Sequence, residues 1–183
     1  MQLRNTTSSY GALAKILHWS MGIIFIGLIP LGLWMSGLES SDLKWTVYGL
    51  HKSLGITILG LVALRIGWRL INTTPRMPVD SASWEIRAAK LTHLSLYVLM
   101  LAMPLSGWVM SSAGGHAVTF FSLFGLPEIV EKNPDLGKLA WNAHGYLGYV
   151  AIGFISLHIL AALYHHLFKR DDILTRMLPS KKP

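Results

Sequence analysis

Long stretches without a charged side chain dominate the pattern of this 183-residue chain. No Asp, Glu, Lys or Arg occurs in residues 16–38, 91–127 or 139–168. About 20 apolar residues in a helix cross the hydrocarbon core of a bilayer, so these stretches predict three membrane-spanning helices. Serine, glycine and proline punctuate the second half of the middle stretch, which predicts that its helix ends near residue 110.

A fourth apolar segment, residues 46–71, is interrupted by Lys52, Arg65 and Arg69. It crosses the bilayer if these long side chains extend to the two interfaces. The sequence therefore predicts an all-α integral membrane four-helix bundle, a single domain over residues 1–183. The predicted helices cover about 13–36, 46–71, 88–110 and 139–168.

Composition and charge support and orient this bundle. Hydrophobic residues make up 52% of the chain and charged residues 14%, against about 25% charged in soluble domains. With both termini in the cytoplasm, twelve of the 16 Lys and Arg residues lie on the inner side, as the positive-inside rule requires. We therefore predict a multi-pass membrane protein with both termini in the cytoplasm, and no nucleic-acid partner.

The chain contains eight His and no Cys. This excludes structural disulfides, thiolate-held iron–sulfur clusters, Cys-based zinc sites and c-type haem attachment. Seven of the eight His fall in or at the ends of the predicted spans, where ionisable groups are costly and are candidates for function.

Two of these histidines, His144 and His158, lie 14 residues apart on the fourth span, on nearly the same helix face and about 21 Å apart along its axis. Depth in the membrane pairs His51 with His144 and His18 with His158. Facing imidazoles in a protein without Cys match the axial ligands of a b-type haem. Zinc or copper is the alternative, but either ion would be half coordinated. Glycines flank these positions, namely Gly22, Gly49, Gly55, Gly145 and Gly148.

No Asp or Glu lies inside a predicted span. This argues against a proton pump, a cation-coupled transporter and a carboxylate-bridged di-metal centre. Redox chemistry by a bound cofactor needs no such carboxylate. A small channel or transporter and a purely structural membrane protein stay as rival hypotheses.

Several short segments stand out along the chain. They are Leu17-His18-Trp19, Gly49-Leu50-His51-Lys52, Met103-Pro104-Leu105-Ser106-Gly107, Trp141-Asn142-Ala143-His144-Gly145 with the later His158, and Tyr164-His165-His166. In this order and spacing they resemble the bacterial cytochrome b561 family over essentially the whole chain. More distantly, the histidine positions resemble those of the haem-bearing membrane subunits of formate dehydrogenases and nickel–iron hydrogenases.

The resemblance implies a multi-pass b-type cytochrome of the bacterial inner membrane with two haem b groups, passing electrons between a periplasmic one-electron donor and the ubiquinone pool. A superoxide:ubiquinone oxidoreductase is the concrete hypothesis. The family pattern implies that His18, His51, His144 and His158 are axial ligands of the haem iron, in agreement with the depth argument. The alternative is a haem-bearing membrane anchor subunit that passes electrons between a dehydrogenase or hydrogenase partner and quinone.

The remaining histidines have less definite roles. His93 falls on a family histidine position at the depth of His18, and is a candidate to compete for the inner haem or to bind a propionate or quinone. His165, at the inner end of the fourth span, is a candidate to donate a hydrogen bond or proton to quinone. For His166 we expect interfacial anchoring, and for His116 the sequence indicates no role.

Three outer lysines, Lys52, Lys132 and Lys138, are candidates to attract an anion such as superoxide. The outer loops carry slightly more acidic than basic residues. Electrostatic attraction therefore requires that folding brings the lysines together.

Overall fold

Four long helices make up most of the computed structural model, which describes residues 2–179. They are α1 (Ala12–Ser36), α2 (Asp42–Leu70), α3 (Ser83–Ala113) and α4 (Pro134–Tyr164). A π-helical turn (His165–Lys169) extends α4, and a 3-10 turn follows at Thr175–Met177. The predicted all-α four-helix architecture is confirmed.

Local capping explains where two of the helices begin. Ser41 precedes α2, and its side chain accepts a hydrogen bond from the backbone N–H of Lys44. Asn133 does the same for Leu136 at the start of α4, where Pro134 occupies the first turn. Both patterns satisfy backbone donors that a helix terminus leaves free.

A small hairpin interrupts the α3–α4 connection. Its strands, β1 (Thr119–Phe120) and β2 (Phe124–Gly125), are antiparallel. Ser53 of α2 holds the hairpin, because its Oγ accepts from Phe121 N–H at 2.9 Å and lies 3.0 Å from the Thr119 carbonyl oxygen. We call this end of the bundle the hairpin end, and the opposite end, where α1 begins and α4 ends, the terminal end.

The apolar core lies midway between the two ends. It consists of Met21, Phe25 and Leu28 of α1, Ile58 and Val62 of α2, Leu99 of α3 and Ala151 of α4. The outward faces are apolar as well, since Ile23, Leu91 and Leu160 are all more than 60% exposed. All four helices are long and apolar enough to span a membrane, and lipid is the solvent that suits such a surface.

The chain that follows α4 folds back across the terminal end. Lys15 Nζ donates to the Leu178 carbonyl at 2.7 Å, and Trp19 Nε1 donates to the Met177 carbonyl at 2.8 Å. Arg176 bonds the Arg76 carbonyl in the α2–α3 connection. This segment therefore joins the start of α1 to the α2–α3 connection.

Arg65, one of the three cations that interrupt the apolar segment 46–71, is hydrogen-bonded to the two neighbouring helices. Its Nε donates to the hydroxyl of Tyr97 and its Nη1 to the carbonyl of Ala14, each at 3.0 Å. Neighbouring helices thus supply acceptors inside the bundle, so the guanidinium is solvated there by protein.

Candidate functional site

Each helix presents two residues, 14 positions apart, at two levels of the bundle. Fourteen residues return to nearly the same helix face about 21 Å along the axis. The terminal-end level holds His18, Arg65, His93 and His158, and the hairpin-end level holds Gly32, His51, Gly107 and His144. The apolar core separates the two levels.

At the hairpin end the structure brings His51 and His144 together. Their ring centres are 6.2 Å apart. The His144 Nδ1 atom lies 3.0 Å from the Met103 carbonyl oxygen and 3.0 Å from Ser106 Oγ. Because a carbonyl only accepts, Nδ1 carries the proton, and the lone pair is on Nε2, which is the tautomer a metal ligand needs.

Two glycines on the other helices give these rings room. A Cβ at Gly32 would lie 3.1 Å from His51 Cε1, and a Cβ at Gly107 would lie 3.3 Å from His144 Cε1. The glycines that flank the histidines in the sequence do not have this role: among the described residues a Cβ there meets nothing closer than 3.9 Å. Gly32 lies 14 residues after His18, and Gly107 lies 14 residues after His93. This spacing is the feature of the sequence from which the two glycines could have been identified as neighbours of the site.

A cavity of about 340 Å³ opens beside the His51–His144 pair. Its walls are mainly apolar, with Phe25, Leu28, Ile58 and Met103 among them. Within residues 2–179, the buried Nδ1 of His51 has no hydrogen-bond partner. An apolar cleft closed by two opposed imidazoles fits a flat macrocycle that carries its metal between them.

At the terminal end three histidines meet. The ring centres of His18 and His158 are 6.0 Å apart, and those of His93 and His158 are 5.4 Å apart. A metal about 2 Å from one nitrogen of each of two opposed rings separates the ring centres by roughly 6.3 Å. The His18–His158 and His51–His144 separations fit this value, whereas His93 lies too close to His158.

A bare metal ion has no ready site in the part of the chain that the structure describes. No group of three or more His, Cys, Asp or Glu side chains among residues 2–179 is arranged to hold one. The zinc and copper alternatives therefore receive no support from the fold.

A second, larger cavity of about 700 Å³ opens at the hairpin end, and we call it the lysine vestibule. Lys44, Lys52 and Lys138 line it, and no Asp or Glu of the described chain does. It borders the smaller cavity, because Tyr48, Lys52 and Trp141 line both. Lys132 also lies at this wall, against Gly115. Folding thus brings together the cations that the sequence leaves dispersed.

The terminal end carries a linked set of ionisable groups. His165 lies seven residues beyond His158, on nearly the same face and about 10 Å further along the helix. Its Nδ1 bonds the carboxylate of Asp171, and both side chains are less than one-fifth exposed. Beside them Lys169 pairs with the buried Glu85 at 2.5 Å. The π-helical turn that starts at His165 is a feature often found at functional sites.

Known proteins resemble the chain over nearly its whole length. A sequence model of the family described as prokaryotic cytochrome b561 matches residues 9–180. Cytochrome b561 homolog 2 of Escherichia coli (strain K12) is 35% identical over 97% of this chain and 95% of that protein. Cytochrome b561 homolog 1 of the same strain is 27% identical over 91% of this chain and 94% of that protein. A protein of Yersinia pestis named probable superoxide oxidase CybB is 28% identical over 94% of this chain and 97% of that protein.

Proposed function

The chain belongs to the prokaryotic cytochrome b561 family, and from this premise we propose that it carries electrons across the membrane to ubiquinone. It is a bacterial multi-pass membrane cytochrome. When bound, haem b supplies reversible one-electron exchange at its iron. We assign His51 and His144 to one haem and His18 and His158 to a second. The observation that carries this proposal is the pair of ring-centre separations, 6.2 and 6.0 Å, at two levels of one bundle.

The apolar core holds the two levels apart and keeps water out between them. Ala151 lies midway between His144 and His158 and is fully buried. Met21, Ile58 and Val62 are buried to a similar degree. The 14-residue spacing places the two levels about 21 Å apart along the helix axis, which is most of the thickness of a bilayer core.

The terminal end faces the cytoplasm in this proposal. The helix ends and loops there carry most of the Lys and Arg residues of the chain. This asymmetry favours a cytoplasmic terminal end and a hairpin end that faces outward. Outward exposure places the lysine vestibule where a periplasmic donor arrives.

The positive charge of the lysine vestibule favours an anionic electron donor, and we propose superoxide as that donor. Lys44 and Lys52 donate to the backbone carbonyls of Leu38 and Ala117, and no carboxylate of residues 2–179 pairs with them. Their charge therefore stays available to an incoming anion. The Yersinia relative with the name probable superoxide oxidase CybB is consistent with this donor. Each of two superoxide ions loses one electron and leaves as O₂.

Ubiquinone takes up these two electrons and two protons at the terminal end. His93 is exposed there and its ring lies against that of His158, so it can donate a hydrogen bond to a quinone carbonyl that arrives from the lipid. We propose His165 as the proton donor and Asp171 as the residue that positions it. A quinol then leaves to the lipid.

Superoxide-driven quinone reduction by the purified protein tests the function. In liposomes that contain ubiquinone, superoxide generated outside should yield one quinol for every two superoxide ions consumed. Added superoxide dismutase should abolish quinol formation. Turnover that appears only after a dehydrogenase or hydrogenase partner is added would overturn the proposal in favour of a membrane anchor subunit.

Replacing Asp171 by asparagine should slow quinol formation by roughly 10²-fold, because loss of the carboxylate misplaces His165 and weakens it as a proton donor. Haem content should not change, since it depends on the four ligand histidines. The rate at which superoxide reduces the protein should not change either, since it depends on the lysine vestibule at the opposite end. Stopped-flow absorbance separates the two steps. Asp172→Asn is the matched control, because the side chain of Asp172 is 56% exposed and pairs with Arg176 rather than with His165. Equal quinol rates in both variants would contradict the role of Asp171.

A further inference from the structure

Arg65 occupies the position on α2 that completes the terminal-end level. It lies 14 residues after His51, so the same face of α2 presents an imidazole to one site and a guanidinium to the other. The other three helices each contribute a histidine at this level. An arginine at membrane depth is costly and marks a functional position, and the proposed ligands make no use of it.

Two hydrogen bonds place the guanidinium beside the terminal-end site. Its acceptor on α1, Ala14, lies one helical turn before His18. Its acceptor on α3, Tyr97, lies one turn after His93. The guanidinium therefore lies between α1 and α3, next to the histidines that these helices contribute.

No carboxylate of residues 2–179 balances the charge of Arg65. The two bonds use two of the five N–H donors of a guanidinium, and both acceptors are neutral. A cation held inside an apolar bundle is stabilised far better by an anion than by neutral oxygens. The remaining donors thus suit an anionic group that the chain itself does not provide.

We propose that Arg65 binds a carboxylate of the haem held by His18 and His158, and that its charge raises the reduction potential of that haem. The inference rests on the proposed function. Haem b carries two propionate carboxylates, and the planar guanidinium fork matches a carboxylate in two parallel hydrogen bonds. A fixed cation disfavours the oxidised, more positive iron, so its removal makes the haem harder to reduce.

Potentiometric titration of the purified holoprotein tests this role. In Arg65→Leu, one of two b-type components should shift to a more negative midpoint potential, and it should be the component that His18→Ala removes. The other component should keep its wild-type potential. Arg65→Lys keeps the charge but not the fork, so its shift should be smaller. If the leucine variant does not accumulate, Arg65→Gln provides a neutral side chain of similar length.

Arg69→Leu is the matched control. Arg69 lies one turn further on α2, is exposed, and places its guanidinium 6.0 Å from the Tyr97 ring, as Arg65 does. Removing this charge should leave both potentials at their wild-type values.

An Arg65→Leu protein with unchanged potentials would overturn the proposal. If its KM for ubiquinone is raised as well, Arg65 belongs to the quinone site instead. Failure of the proposed function is recognised separately, because the wild-type protein would then not reduce ubiquinone with superoxide, whatever the potentials of the Arg65 variants.

Discussion

The His144→Ala protein is expected to contain one b-type haem instead of two. Loss of one of the two axial imidazoles removes an iron bond, and no histidine other than His51 and His144 lines this cavity in the described chain. The haem held by His18 and His158 should remain, because it lies at the other level of the bundle, about 21 Å away. The His158→Ala protein should lose the other haem and keep the first. A pyridine haemochrome assay and a reduced-minus-oxidised spectrum measure both changes.

His116→Ala is the control for this prediction, since His116 is exposed at the hairpin end and belongs to neither pair. It should retain both haems. Comparison of the His18→Ala and His93→Ala proteins decides which neighbour of His158 is the second axial ligand. We expect the first to lose a haem and the second to keep both, because the 5.4 Å separation of His93 from His158 is too short for opposed ligands. Retention of both haems in His144→Ala and in His158→Ala would refute the ligand assignment.

Replacing Lys52 and Lys138 by glutamine should lower the second-order rate constant for superoxide by about tenfold or more at low ionic strength. Both lysines line the vestibule, and Lys52 also reaches the cavity beside His51 and His144. Their charge concentrates an anion at the mouth of the site, and salt screens that attraction. Pulse radiolysis over a range of salt concentrations would measure the rate constant directly.

A double variant at the opposite end, Arg87→Gln with Lys90→Gln, removes the same charge from exposed positions outside the vestibule. It should keep the wild-type rate and its salt dependence. The vestibule variant should converge on the wild-type rate at high salt. A rate that falls equally in both variants, or a deficit that persists at high salt, would contradict electrostatic attraction by Lys52 and Lys138.

The helices and the histidine levels were predictable because they depend on local geometry. Apolar stretches of about 20 residues predict spans, and the spacing of His144 and His158 follows from 3.6 residues per turn. Family membership was also predictable, since it follows from the order and spacing of short segments along the chain. The hairpin between α3 and α4 was not, because Ser53, more than 60 residues earlier, holds it.

The sequence by itself determined the four spans, the excess of Lys and Arg at one end of them and the two depths at which histidines lie. The tertiary structure alone decided which neighbours those residues meet. It brought Lys44, Lys52 and Lys138 around one cavity although the outer loops are slightly acidic, and it bonded Arg65 to α1 and α3. The reason is physical: periodicity sets the residues along a helix face, whereas the rotation of each helix and the path of each loop depend on packing between distant segments.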